Sequence, residues 1–169
     1  MSGNYQRKPP LPFVPGTEIA GIVTEVADGV TRFKVGDRVA SVIDWGGLAE
    51  ETPAFEVNTF KIPDSLEFHK AICFTNSYGT SYAALMWPHL LRLEEGQTLL
   101  VHGAAGGVGV AAVEIGKILG ATVIATAGSA EKLDIVRDHG ADHAINYREG
   151  PFRDAVLDLT NGRGADVIY

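Results

Sequence analysis

From residue 98 onward the apolar positions fall into short β-branched runs separated by longer stretches with helical spacing. Thr98, Leu99, Leu100, Val101 and His102 predict a buried strand, and residues 108–119 predict an apolar helix that Gly120 ends. The cycle then repeats. A strand is expected at 122–126, a helix at 130–139 stopped by Gly140, and a third strand at 143–147. A third helix follows at about 152–160, and a fourth strand begins at 165. Strands alternating with helices of this length predict a parallel, doubly wound sheet.

The earlier part has a different rhythm. Up to about residue 63 the chain is rich in proline and glycine, with β-branched runs at 18–26 and 38–43. The turn signals Asp28-Gly29 and Gly36-Asp37 lie between them, so a small β-barrel or sandwich is expected. Asp64 to Glu67 has the spacing of a capping box and predicts a helix start. A longer helix is expected over about 77–92, with Tyr78, Tyr82, Leu85 and His89 near one face and Pro88 kinking or shortening its end. The fourth strand runs up to Tyr169, and a doubly wound domain needs further strands to close its sheet, so the chain reads as an internal fragment.

Composition narrows the function classes. With 46% apolar and 21% charged residues the chain can bury a core, so disorder is not expected. A net charge of −7 repels phosphate backbones and argues against nucleic acid as a partner. Cys73 is the only cysteine, which rules out an intramolecular disulfide and a cysteine-based zinc site. Residues 1–10 hold no apolar signal-peptide core, and no apolar run approaches the roughly 20 residues that span a bilayer. The expectation is a cytoplasmic chain with no membrane partner.

The first strand leads through Gly103-Ala104-Ala105-Gly106-Gly107-Val108-Gly109 directly into a helix. In a dinucleotide fingerprint the glycines give a tight turn, close backbone approach to the pyrophosphate, and close helix–strand packing. Ala104 stands at the first glycine position, Gly106 at the second and Gly109 at the third. A glycine-rich turn alone suits an ordinary tight turn equally well. The strand before it, the helix after it and the second strand on schedule favour dinucleotide binding.

The end of the second strand bears on which dinucleotide. NAD-binding domains place an acid there for the ribose 2′-hydroxyl. This chain has Ala127-Gly128-Ser129-Ala130-Glu131-Lys132, with no acid at Gly128, a hydroxyl at Ser129 and an ammonium at Lys132. A carboxylate repels a 2′-phosphate and an ammonium attracts it, which favours NADPH over NADH. The competing readings are Lys132 as a solvated surface charge and Glu131 as the residue that faces the site.

These motifs join residues 11–21 and 35–39, Tyr78-Gly79-Thr80-Ser81-Tyr82, and Ile145-Asn146-Tyr147-Arg148 in one order. Together they resemble the zinc-free quinone oxidoreductases, the zeta-crystallin-like branch of the medium-chain dehydrogenase/reductase superfamily, across essentially all 169 residues. The resemblance implies an α/β chain: a partial GroES-like β-barrel over residues 1–75, then the first half of a Rossmann doubly wound parallel sheet over 76–169. It implies hydride transfer from NADPH to a quinone or other α,β-unsaturated carbonyl without zinc, and a homodimer at full length.

By the same resemblance, Ala105, Gly106, Gly107, Val108 and Gly109 would hold the pyrophosphate, and Thr80 would approach the nicotinamide amide. Gly128, Ser129, Lys132 and Tyr147 would surround the adenosine ribose or its 2′-phosphate. Tyr5 matches a family tyrosine near the substrate pocket, either as a donor to the carbonyl oxygen or only as a lining ring. Zinc-dependent relatives carry Gly-His-Glu where this chain has Gly16-Thr17-Glu18, so no metal is expected. His139 and His143 fall at a helix end and in the next strand and need not converge. Two alternatives remain: an enoyl-thioester reductase of the same superfamily, and a non-catalytic NADPH-binding protein.

Overall fold

The computed structural model describes residues 8–169, which form two compact units divided between Asn76 and Ser77. In the first, strands β1 (Glu18–Ile22), β2 (Arg38–Val42) and β3 (Thr59–Lys61) form an antiparallel sheet in that order. Glu18 pairs with Val42, and Ser41 with Thr59. β1 is shorter than the apolar run because Ile22 already pairs with Arg38, the first residue of β2, and Val23 bonds to the turn at Gly36-Asp37. The sheet buries Val39, Ala40 and Ser41 on its central strand, and helix α1 (Phe68–Cys73) adds Ala71.

The capping box expected at Asp64 does not form. The Leu66 N–H donates to the Pro63 carbonyl, so residues 63–66 make a turn, and α1 starts four residues later than Asp64 with Glu67 at its N-cap. Glu67 pairs with Lys70 instead of reaching back to Asp64.

A π-helical segment, Phe74–Tyr78, straddles the division between the units and runs into helix α2 (Gly79–Met86) of the second. This helix is shorter than the expected 77–92 at both ends. Trp87, which precedes Pro88, is extended at ψ 135°, because a residue before proline clashes in the helical region. Four parallel strands follow, β4 (Thr98–Val101), β5 (Thr122–Ala127), β6 (His143–Asn146) and β7 (Val167–Ile168). Helices α3 (Gly107–Ile118), α4 (Ala130–Asp138) and α5 (Phe152–Leu159) alternate with them. Residues that stay within the helical period bury one stripe each, such as Ala112, Val113 and Gly116 on α3 and Leu133 and Val136 on α4.

The sheet order is β6-β5-β4-β7, so the chain steps outward from β4 in one direction and then returns to its other side. Alternation along the strands sends Leu99, Val101 and Val123 to one face with Val113 and Val136, and Leu100 and Ile124 to the other with Val156. Helices therefore cover both faces, as in a doubly wound sheet. No helix among the described residues is long and apolar enough to cross a membrane.

Polar locks sit at the N-terminal ends of the strands. The Asp166 carboxylate accepts the Thr98 N–H at 2.7 Å. The Asp142 carboxylate accepts the Lys117 ammonium at 2.7 Å and the Val123 N–H at 2.7 Å. Burial alone raises the Asp142 carboxyl, but its bonds from Lys117 and Val123 and the nearby Lys117 and His143 charges outweigh that and hold it below 3.8. A depressed folded-state value contributes stability above the unfolded value and loses it as pH falls through the folded one. The melting temperature is therefore expected to drop below about pH 4. In Asp142→Asn it should start lower at neutral pH and show a shallower acid decline, as thermal melts across that range would record.

Candidate functional site

The reversal of strand order between β4 and β7 makes a crevice at the carboxyl ends of those strands, where α/β sheets bind ligands. The β4–α3 turn lies there. Its positive φ falls at Gly103 (59°), not at Ala104, which explains how an alanine stands at the first glycine position of the fingerprint. The Ala104 N–H donates to the Thr126 carbonyl at 3.1 Å, and the Gly106 N–H to the Gly103 carbonyl at 2.9 Å. Sequence reasoning gave Gly103 no role of its own; its place directly after the strand was the available signal.

Gly106 is the extended N-cap of α3 and no side chain caps the helix. The first-turn amides of Gly107, Val108 and Gly109 have no carbonyl one turn behind them within the helix, and the helix dipole favours an anion at this end. A Cβ on Gly109 would lie 2.6 Å from the Gly103 carbonyl oxygen and 2.7 Å from Ala104 Cα, so the helix starts in direct contact with the turn. A Cβ on Gly107 would meet Ser77 Oγ at 3.1 Å. Ala105 is half-buried beside them. Backbone and glycine surfaces thus line the mouth of α3, the arrangement that accepts a phosphate.

The end of β5 lies one strand over. Gly128 is buried, and a Cβ there would lie 2.5 Å from the Tyr147 hydroxyl and 2.8 Å from its ring. The Tyr147 N–H donates to the Ala127 carbonyl at 3.2 Å, which keeps this half-exposed ring at the end of β6 laid on Gly128. Ser129 is the N-cap of α4, with no hydrogen bond from its own hydroxyl to the helix. Lys132 and Glu131 are both exposed in the first turn of α4. Arg148, not singled out from the sequence, is exposed next to Tyr147.

The structure therefore brings the predicted residues 105–109 together at one strand end and Gly128, Ser129, Lys132 and Tyr147 at the next. Thr80 is an exposed residue in the first turn of α2, whose N-cap position belongs to Tyr78. Tyr5 lies outside the described residues. His139 Nδ1 is 2.6 Å from Glu114 Oε1, while His143 sits in β6. Among the described residues no group of three or more His, Cys, Asp and Glu side chains is placed to hold a metal.

Comparison with known proteins follows the same two-part division. Residues 1–64 match the alcohol dehydrogenase GroES-like domain, and residues 107–169 match the zinc-binding dehydrogenase family. The chain is 47% identical over 168 residues to a quinone oxidoreductase-like protein 2 homolog of Nematostella vectensis, covering 98% of this chain and 45% of that protein. The crystal structure of Escherichia coli quinone oxidoreductase complexed with NADPH superposes with a TM-score of 0.91 at 34% identity, over 99% of this chain and 51% of that one. The CurK enoyl reductase superposes at 0.81 with 32% identity, over 92% of this chain and 46% of that one. The chain spans about half the length of the curated relatives it matches.

Proposed function

The chain belongs to the medium-chain dehydrogenase/reductase superfamily, as a homologue of quinone oxidoreductases, and from that premise we propose that it holds NADPH for zinc-free hydride transfer to a quinone or other α,β-unsaturated carbonyl. The observation that carries the cofactor half is the end of β5. Gly128 stands where a ribose-binding acid is expected, and a side chain there would have to displace the Tyr147 ring. The uncapped mouth of α3, where a Cβ on Gly109 would close the turn, fits a pyrophosphate.

In this reading the amides of Gly107 and Val108 hold the pyrophosphate, with Ala105, Gly106 and Gly109 giving the backbone its close approach. Ser129, Lys132 and Tyr147 surround the 2′-phosphate beside Gly128, and Thr80 orients the nicotinamide amide. The bound cofactor supplies the hydride, and the protein supplies position and electrostatics. Charge that builds on the carbonyl oxygen needs a donor, the role we give to Tyr5. The absence of a histidine at Thr17 and the single cysteine support the zinc-free assignment. The proposal includes a cytoplasmic homodimer as the working form of the full-length protein.

The test is NADPH oxidation by a small para-quinone with the full-length protein, with NADH in parallel. Turnover above the enzyme-free rate with NADPH preferred is expected. Lys132→Ala should cut that preference about tenfold, the scale of one charge-assisted contact. The superposition on an enoyl reductase supports a second reading, an enoyl-thioester reductase. Measurable NADPH binding with no quinone or enone turnover would favour it, or a non-catalytic binder, over quinone reduction.

A further inference from the structure

We propose that Glu114 is a positioning residue for the phosphate-binding turn, acting through Tyr78; the inference rests on the NADPH reading above. The Tyr78 hydroxyl donates to Glu114 Oε2, and His139 Nδ1 donates to Glu114 Oε1 at 2.6 Å. One carboxylate thus joins the end of the π-helical segment, the middle of α3 and the end of α4. Burial opposes its charge, but the bonds from Tyr78 and His139 and the His139 charge more than offset this and hold its carboxyl below the usual 4.5. It therefore stays an acceptor for both partners at neutral pH.

The neighbours of Tyr78 reach the phosphate-binding turn. Ser77, one residue earlier, places its hydroxyl against Gly107. Ser81, three residues later, is fully buried and donates to the Val108 carbonyl at 2.8 Å, with the Tyr169 hydroxyl 3.0 Å away. Segment 77–81 thus grips α3 twice: at its first turn through Ser77 and Ser81, and about two turns farther along through Tyr78 and Glu114. Gly107 and Val108 are the residues whose amides face the pyrophosphate in the reading above. A partly desolvated carboxylate adds little to apolar packing, and π-helical turns are frequent at functional sites. Loss of the Tyr78–Glu114 bond lets 77–81 shift and the first-turn amides lose their aim. The adenosine end at Gly128, Lys132 and Tyr147, built on β5, α4 and β6, is left as it was.

Tyr78→Phe, Glu114→Ala and the double variant would be titrated in the full-length protein with NADPH and with adenosine 2′-monophosphate, which carries the 2′-phosphate but no pyrophosphate. Each single change is expected to weaken NADPH about tenfold, the size of one hydrogen bond to a charged group. The double variant should be no weaker than Glu114→Ala, because Tyr78→Phe removes a bond that Glu114→Ala has already removed. Binding of adenosine 2′-monophosphate should be unchanged throughout. Unchanged NADPH affinity in Tyr78→Phe, additive losses, or parallel weakening of both ligands would each overturn the role of Glu114. An unsubstituted protein that binds neither ligand would instead overturn the NADPH reading beneath it.

Discussion

Gly109→Ala is expected to abolish measurable NADPH binding and to lower the melting temperature by roughly 10 °C or more. The added Cβ would sit 2.6 Å from the Gly103 carbonyl oxygen, 2.7 Å from Ala104 Cα and 2.8 Å from its carbonyl carbon. All three are backbone atoms of the turn itself, so no flexible side-chain end can swing aside. Relief requires α3 to back away from β4. Its face there is packed through Ala112, Val113 and Gly116 against Leu99 and Val123, so the strain spreads into the core. Overpacking of this kind costs about 3 kcal/mol, with each kcal/mol worth several degrees in a unit of this size. Moving the helix start also scatters the amides that would meet the pyrophosphate. A melt and an NADPH titration on the same sample check both parts. Full binding with an unchanged melting temperature would show that the contact at Gly109 does not control the turn.

Gly128→Asp should lower NADPH affinity roughly a hundredfold without making the protein NADH-dependent, since an opposed like charge costs several kcal/mol. The carboxylate would face the 2′-phosphate, which accounts for the first effect. The second follows from Tyr147. A side chain at 128 must displace its ring, whose hydroxyl lies 2.5 Å from the new Cβ. The ring is 47% exposed and can swing out, but it stays beside the new carboxylate and blocks the close approach that a bond to a 2′-hydroxyl needs, whereas repulsion of a 2′-phosphate acts over a longer distance. Gly128→Asp combined with Tyr147→Ala clears the space, and this double variant is where NADH binding should first appear. Titrating both variants with both dinucleotides decides the matter. NADH gained by Gly128→Asp alone would mean that Tyr147 does not guard the position.

Much of the second unit was legible in the sequence because its signals are local. The β-branched run at 122–126 and the stops at Gly120 and Gly140 placed β5, α3 and α4 to within about two residues of their ends. The glycine turn was legible by type, yet its left-handed residue was not. The fingerprint points to position 104, while the structure puts the positive φ at Gly103. At 77–92 the proline signal for helix shortening was correct, but the π-helical entry at Phe74–Tyr78 has no periodic signature of its own. The Asp64 capping box failed because capping needs a helix that begins at once, and residues 63–66 prefer a turn. Two features of the site were invisible for a common reason. Tyr147 on Gly128, and Tyr78 and His139 on Glu114, are contacts between residues far apart in the chain, and no spacing rule predicts which distant side chains will meet.

The sheet keeps its carboxylate locks and the glycines proposed to meet the cofactor at opposite ends. Lys117, Asp142 and Asp166 lock the starts of β4, β5, β6 and β7, while residues 103–109 and 128–132 lie past the finishes of β4 and β5. The six residues of β5 hold these ends about 17 Å apart, beyond the range within which substitutions usually couple. Changes that reinforce the strand starts can therefore accumulate without reaching the glycine turn, so hardiness can be raised at that end while specificity is left as it was.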